Sequence, residues 1–460
     1  MSRSTARHAI IIGGGASGVL LAYQLLHHSD SDFRVTLIEK RLDIGRGVAY
    51  HTGNPEHLLN VRVENMSALP DEPDHFWRWL VSREADVPLC PDPYCFVPRR
   101  IYGDYIASLL APLISNGDAP RRLSIVQGTC IDIREGPVDA MATLDDGRCY
   151  VGEIVVLATG HDARSASPGH ADPWVSPSAA GIDPDATVLI LGTGLTMVDY
   201  VLSLLRDHHR GPIIAMSRRG LLAKPHRRVP PLRIDNTEIP FGASISQLLR
   251  WFRGRVKAHV AEGGDWRGAI DGLRPYTQRL WRDLPLASKR RFLEHARAWW
   301  DVHRHRMAPE VEARITHAVY AGTLTLLAAK VVGIELNESG ARVRYRRRGQ
   351  RENDSIQVGA IVDCTGIVRD PRATTNPAVL SLFDQGLARV DPLGIGIETG
   401  ADCAIVRRDG VASRRVFAVG PLTRAAFWEI IAIPDIRNQC AQLAAALIRI
   451  DEQDRLERIA

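Results

Sequence analysis

Two short glycine-rich segments carry the residue types that hold a nucleotide diphosphate. The first, Gly13-Gly14-Gly15-Ala16-Ser17-Gly18, follows the apolar run His8-Ala9-Ile10-Ile11-Ile12 and precedes a helical pattern from Val19 to Leu26. A second strand, Arg34-Val35-Thr36-Leu37-Ile38, then ends at Glu39 and Lys40. Gly13 permits a tight turn, Gly15 lets the backbone approach a pyrophosphate, and Gly18 lets the helix pack closely on the strand. The helix start at Ala16 and Ser17 offers unbonded N–H groups and a partial positive charge. The second segment, Gly192-Thr193-Gly194-Leu195-Thr196-Met197, sits between a strand at Thr187–Leu191 and a helical pattern from Val198 to Leu205. Pro212 to Met216 reads as the next strand, followed by Ser217-Arg218-Arg219. Met197 stands where the first segment has Gly18, which predicts a slightly wider helix-to-strand spacing.

Charge separates what the two segments hold. Glu39 follows Gly15 by 24 positions, and Arg218 follows Gly194 by 24. A carboxylate at that place accepts hydrogen bonds from ribose hydroxyls and repels a 2′-phosphate, whereas arginines grip a 2′-phosphate with charge-assisted bonds. The first site therefore suits FAD or NAD, and the second NADPH.

The repeat continues downstream. Apolar runs end at Thr159-Gly160 and again at Thr365-Gly366. Each glycine lets the chain leave its fold beneath a bound cofactor. Antiparallel strands are predicted at 124–133 and 140–144, and again at 324–336 and 341–346. These elements give an α/β chain of two nested Rossmann-like dinucleotide-binding folds. The second is inserted into the first and carries a mainly helical insertion of its own. The expected organisation is a first FAD-binding segment at 1–165, an NADPH-binding domain at 180–366 with the helical insertion at 240–318, and a second FAD-binding segment at 367–460.

Composition narrows the class. At 460 residues the chain exceeds a single ordinary core, and 45% hydrophobic with 24% charged residues excludes a mainly disordered protein. The net charge of +5 and the short basic runs, none longer than three residues, as in Arg346-Arg347-Arg348, argue against nucleic acid as a partner. No apolar run is long enough for a signal peptide or a membrane span, so a soluble cytoplasmic protein is expected. Seven scattered cysteines without a CxxC argue against a disulfide framework. Cys90 and Cys95 are read as reduced thiols. No metal-ligand spacing is present: His303 and His305 are two apart, not four. The sequence leaves the oligomeric state open.

The chain resembles the two-dinucleotide-binding-domain flavoproteins, which include flavin monooxygenases, amino-acid N-hydroxylases and disulfide reductases. It is most similar to bacterial FAD/NAD(P)-binding proteins of the YdhS type. Besides the glycine segments, the resemblance rests on Arg46-Gly47-Val48-Ala49-Tyr50, Leu59-Asn60-Val61, Ser217 to Leu222, Trp300 to Arg306, Trp428-Glu429-Ile430 and Pro434 to Arg437. It implies FAD in the first fold, with Gly47 along the diphosphate and Asn60 near the isoalloxazine, and NADPH in the second. It also implies that the strand ending at Gly420 meets the flavin, although Pro421 replaces the usual Asp. A helix from Pro434 through Ala446 would point its N-terminus at the flavin N1–C2=O edge, where its dipole stabilises the reduced ring.

Five of the nine tryptophans fall between 240 and 318. An insertion there could cap the space between the cofactors, with Arg274, His303 and Arg304 as substrate candidates beside Trp428 and Glu429. No catalytic acid or base stands out. The function expected first is an NADPH-dependent flavin monooxygenase that hydroxylates a small substrate, an amine or amino acid, through a C4a-hydroperoxyflavin formed with molecular oxygen. The alternatives are an NADPH-dependent reductase with another electron acceptor, and a non-catalytic flavin redox sensor.

Overall fold

The computed structural model describes residues 7–28, 31–83, 90–115, 122–161, 169–366 and 370–459, with side chains as far as 449 except at 115. The boundaries expected at 165 and 367 fall outside these residues. The strands, in chain order, are β1 (His8–Ile12), β2 (Arg34–Glu39), β3 (Leu123–Gln127), β4 (Cys130–Glu135), β5 (Ala140–Leu144), β6 (Cys149–Gly152), β7 (Ile154–Leu157), β8 (His170–Ala171), β9 (Val188–Leu191), β10 (Ile213–Ser217), β11 (Leu324–Asn337), β12 (Gly340–Arg347), β13 (Asp354–Val358), β14 (Ala360–Asp363), β15 (Ala404–Val406) and β16 (Ala412–Ala418). The chain is an α/β protein with parallel sheets. It divides into two compact units, one of Met1–Gly53, Arg62–Asp162 and Val368–Ala460, the other of Asn54–Val61 and Ala163–Ile367. Asn54–Val61, expected with the first segment, clusters with the second unit.

In the first unit six strands run in the order β15-β16-β7-β1-β2-β3. β1 lies inside the sheet, parallel to β2 (Ala9↔Val35) and to β7 (Ala9↔Ile154). Its Ile10 and Ile11 are fully buried, which is why an unbroken β-branched run rather than an alternating one codes for it. Truncating either to Ala costs about 2–5 kcal/mol. The helix Ala16–His27 buries Val19, Leu20, Leu21 and Leu25. From the far end of the chain β16 returns parallel to β7 (Val416↔Val155).

The single antiparallel strand predicted over 124–133 is in fact two elements. β3 pairs in parallel with β2 (Val35↔Leu123), and β4 opens a separate antiparallel sheet, β4-β5-β6. The break is Gly128, whose N–H donates to the Glu39 carbonyl at 3.0 Å. A Cβ there would sit 2.6 Å from Leu144 Cδ1.

The second unit holds a seven-stranded sheet ordered β13-β12-β11-β10-β9-β14-β8. Its long strand β11 changes partner type along its length. Leu324–Ala328 pairs in parallel with β10, and Ala329–Asn337 in antiparallel with β12. The strand predicted at 324–336 is therefore antiparallel only in its second half. Between 245 and 304 the unit is helical: Ile245–Ala261, Trp266–Leu273, Thr277–Asp283, Leu286–Arg291 and Arg297–Arg304. Ser244 opens the first of these with a reciprocal cap, its hydroxyl accepting from Gln247 N–H while Gln247 Oε1 accepts from Ser244 N–H. Ile234, Ile239, Leu273 and Leu280 form a local core, with Trp251 and Trp300 packed against it. Trp281 is buried and Trp299 exposed.

Cys90 and Cys95, expected as reduced thiols, form a disulfide. The turn at Asp92 brings them together: Cys95 N–H donates to the Asp92 carbonyl, and the Asp92 carboxylate accepts from Tyr94 N–H at 2.7 Å. No helix among the described residues is long and apolar enough to cross a membrane, and no group of His, Cys, Asp and Glu among them could hold a metal ion.

Candidate nucleotide-binding sites

The two phosphate loops are built alike. Gly13 has φ +108° and Gly192 φ +106°, a region open to glycine. Gly13 N–H donates to the Ile38 carbonyl at 2.8 Å, and Gly192 N–H to the Met216 carbonyl at 2.7 Å. A Cβ on Gly13 would lie 2.4 Å from the Ala158 carbonyl oxygen, and one on Gly192 2.5 Å from that of Cys364. Each first glycine thus seats its loop on the strand to either side.

Gly15 and Gly194 differ from them. Both have extended backbone, and both are N-caps with no side-chain hydrogen bond to the helix start. A Cβ on Gly194 would meet nothing within 4 Å, and one on Gly15 only Gly47 at ordinary contact distance. What these positions keep is an open cradle over bare helix N–H groups, at Ala16 and Ser17 in one loop and at Leu195 and Thr196 in the other. That arrangement fits a diphosphate. The third positions contrast. A Cβ on Gly18 would overlap the Gly13 carbonyl oxygen at 1.9 Å, whereas Met197 holds the equivalent place with a buried side chain.

Glu39 is held in position. Its Oε2 accepts from Gly14 N–H at 2.6 Å and its Oε1 from Arg41 N–H at 3.1 Å. Gly14, nominally a free position of the motif, is glycine because a Cβ would lie 2.8 Å from Glu39 Cβ. Lys40 is exposed. Gly45 and Gly47, both at positive φ, fold a loop over the first site, with Gly45 N–H donating to the Gly14 carbonyl at 2.7 Å. Asn60 belongs to the second unit, where its carbonyl accepts from His226 at 3.0 Å.

At the second site Ser217 is spoken for. Thr193 donates its hydroxyl to the Leu221 carbonyl at 2.6 Å, so Ser217 donates to Thr193 at 2.9 Å and accepts from Gly220 N–H at 3.0 Å. Ser217 therefore shapes the loop that presents Arg218 and Arg219. Arg218 is exposed and Arg219 half-buried.

The strand exits are also paired, with Gly160 at φ +72° after Thr159 and Gly366 at φ +100° after Thr365, each with open space where a Cβ would be. Beside Gly160, loss of hydration pushes the His161 pKa down to about 4, with Arg424 adding repulsion. Gly420, at φ +72°, would place a Cβ 2.5 Å from Ser17 Oγ. Its N–H donates to Gln439 Oε1 at 2.7 Å, and Gln439 Nε2 donates to Thr423 Oγ1 at 2.9 Å. Gln439 thus ties the Gly420-Pro421 turn to the helix Ile433–Ile459. That helix starts one residue before the predicted Pro434, and Pro434 itself is buried. Sequence reasoning missed Gln439 because only the folded chain brings it to Gly420.

The substrate candidates divide between the units. In the second, His303 packs edge-on against Trp266 with centroids 4.9 Å apart, and its Nδ1 donates to the Trp299 carbonyl at 2.7 Å. Arg304 adjoins it on Arg297–Arg304, and Arg274 opens a short turn after Trp266–Leu273. In the first unit Trp428 and Glu429 are both buried, and Glu429 holds φ +63°, which is strained for a side chain of its size.

Comparison with known proteins gives first a class. Residues 10–162 match a family model described as FAD-NAD(P)-binding, so this region is similar to FAD/NAD(P)-binding domains. No curated protein matches the chain. Among solved structures the chain is similar to the Kutzneria sp. 744 ornithine N-hydroxylase KtzI (TM-score 0.65, 15% identity, covering 97% of this chain and 100% of that one). It is also similar to the ornithine hydroxylase PvdA of Pseudomonas aeruginosa (0.64, 14%, 97% and 99%) and to the L-lysine 6-monooxygenase of Pseudomonas syringae (0.63, 16%, 96% and 99%). At these identities the likeness is one of fold.

Proposed function

We propose that this chain is an NADPH-dependent FAD oxidoreductase, and within that class a monooxygenase that hydroxylates a small amine or amino acid with oxygen as co-substrate. The observation that carries it is the opposite charge at equivalent places of two matching phosphate loops: the Glu39 carboxylate fixed beside Gly14 in one, and Arg218 and Arg219, with no ion pair to the described residues, in the other. FAD is assigned to the first loop and NADPH to the second, as the resemblance to YdhS-type proteins implies, and the second fold is read as inserted into the first with its helical insertion at 240–318. Accepting hydride and handing electrons to oxygen is chemistry the flavin supplies when bound. The chain's own residues bind and orient. The N–H groups at Ala16 and Ser17 hold the FAD diphosphate, and Glu39 accepts from the ribose. The helix start at Pro434 favours negative charge on the reduced ring. The amine preference draws on the likeness to ornithine and lysine hydroxylases.

The test is anaerobic reduction of the holoprotein by NADPH, then oxygen with a panel containing ornithine, lysine and cadaverine. Formation of a hydroxylated amine in step with NADPH oxidation supports the monooxygenase. The second reading, a reductase with another acceptor, is favoured by the Cys90–Cys95 disulfide in the first unit. Rapid flavin bleaching with no hydroxylated product from any amine, and turnover restored by a disulfide acceptor, would select it.

A further inference from the structure

The run Arg346-Arg347-Arg348 has no part in the function proposed so far. It closes β12, and the sheet places its last member beside the arginines of the second site. Ser217, the end of β10, is the register partner of Ala328 on β11. On the other side of β11, Ala329 pairs with Arg347, and Arg348 N–H continues the ladder to the Ala328 carbonyl at 2.8 Å. Ser217, Ala328 and Arg348 thus lie abreast on three neighbouring strands, and residues directly opposite one another share a face. At roughly 4.8 Å per strand, the Arg348 backbone is about 10 Å from Ser217, within the span of two arginine side chains reaching toward each other.

The residue between them is small, and the loop folds over it. A Cβ on Gly220 would lie 3.1 Å from Ala328 Cβ, so the turn carrying Arg218 and Arg219 packs on Ala328 itself. Two acids of the hairpin strands are engaged with other arginines: Asp354 pairs with Arg347 at 2.9 Å and Glu335 with Arg344 at 3.3 Å. Arg348 is exposed and forms no ion pair with the described residues. The backbone therefore brings Arg218, Arg219 and Arg348 to the two sides of Ala328, and none of the three forms an ion pair with the described residues. Like charges gathered this way repel unless an anion joins them.

We propose that Arg348 is a third ligand of the 2′-phosphate of NADPH, approaching from β12 while Arg218 and Arg219 approach from β10. This rests on the assignment of NADPH to the second fold. A phosphomonoester has three terminal oxygens and takes charge-assisted hydrogen bonds from several directions, so donors on both sides of Ala328 are complementary rather than redundant. The adenosine and diphosphate lie outside its reach in this scheme, so Arg348 governs the choice between phosphorylated and unphosphorylated ribose and little else.

Binding of 2′,5′-ADP and of 5′-ADP to the FAD-loaded protein, measured by calorimetry, tests it without turnover. Arg348→Ala should weaken 2′,5′-ADP about tenfold, leave 5′-ADP unchanged, and flatten the dependence of 2′,5′-ADP affinity on salt. Arg348→Lys should restore part of the affinity. Arg218→Ala serves as the reference. If Arg218→Ala loses 2′,5′-ADP while Arg348→Ala binds it as wild type does, Arg348 has no such role and the NADPH assignment stands. If the wild-type protein binds the two nucleotides equally, the assignment and the proposal fail together.

Discussion

At the residue scale, the glycines of each loop do different work and should fail differently. Gly13→Ala forces a Cβ against the Ala158 carbonyl at a positive φ, so the fold itself suffers, by about 1–3 kcal/mol or more. Gly15→Ala meets only ordinary contact with Gly47 and should melt close to wild type while losing flavin. Parallel thermal melts of flavin-stripped protein and flavin absorbance of purified protein distinguish the two; equal melting losses in both variants would contradict the division. His161 gives a pH prediction. Its pKa lies below the ordinary imidazole value, at about 4, so the unfolded state takes up the proton first. The stability it contributes is complete above about pH 6.5 and is lost as pH falls toward 4. Urea midpoints of wild type should drop more steeply across that window than those of His161→Gln; parallel curves would show that His161 does not titrate this way.

At the element scale, Gln439 couples a turn to a helix. Gln439→Leu keeps the bulk but leaves Gly420 N–H buried without an acceptor, which costs about 1–3 kcal/mol, visible as a lowered Tm. A neutral effect would mean the turn finds another acceptor. This element also shows what was legible beforehand. The strands β1, β2, β9 and β10 and their glycine turns could be read locally, because buried parallel strands are continuous apolar runs and the turn chemistry lies in consecutive residues. The split at Gly128 could not, since it depends on Glu39 and Leu144 across the fold. Nor could the change of partner along β11, where one apolar pattern serves both parallel and antiparallel pairing. Glu39 and Arg218 were singled out by spacing and charge, both of which are local to the sequence. The anchoring role of Ser217, the placing of Asn60 with the second unit and the Gln439 link all depend on partners distant in sequence.

At the scale of the whole molecule, seven cysteines should behave as two populations. Cys130, Cys149, Cys364, Cys403 and Cys440 are free, and Cys90 and Cys95 are joined. Protein unfolded in guanidinium without reductant should therefore titrate five thiols, rising to seven after reduction; seven from the start would remove the disulfide. Because the bridge spans only five positions, it restricts a short loop, and its reduction should cost about 2 kcal/mol. The chain's charge is also organised locally rather than globally. A net charge of +5 spread over 460 residues steers little, so preference for NADPH over NADH should reside in a few groups. Arg218→Ala should raise the dissociation constant for NADPH about tenfold and leave that for NADH nearly unchanged, as separate flavin-quench titrations would show. Wild-type protein that binds both alike would return Arg218 to an ordinary solvated strand end.

One strand, β11, is bonded in two ways, with Leu324–Ala328 inside the parallel layer and Ala329–Asn337 in a hairpin with β12. The hairpin half is an antiparallel ribbon at the sheet's margin, and such ribbons open locally at lower free energy than interior strands. Amide hydrogens along this single strand should accordingly exchange with deuterium in two classes, the division falling at Ala328. A nucleotide gripped from both β10 and β12 would bridge that division. Adding 2′,5′-ADP should then slow exchange in Ala329–Asn337, residues that touch no ligand, and 5′-ADP should not. The dinucleotide would act as a clamp on a piece of backbone that the protein otherwise leaves free to breathe.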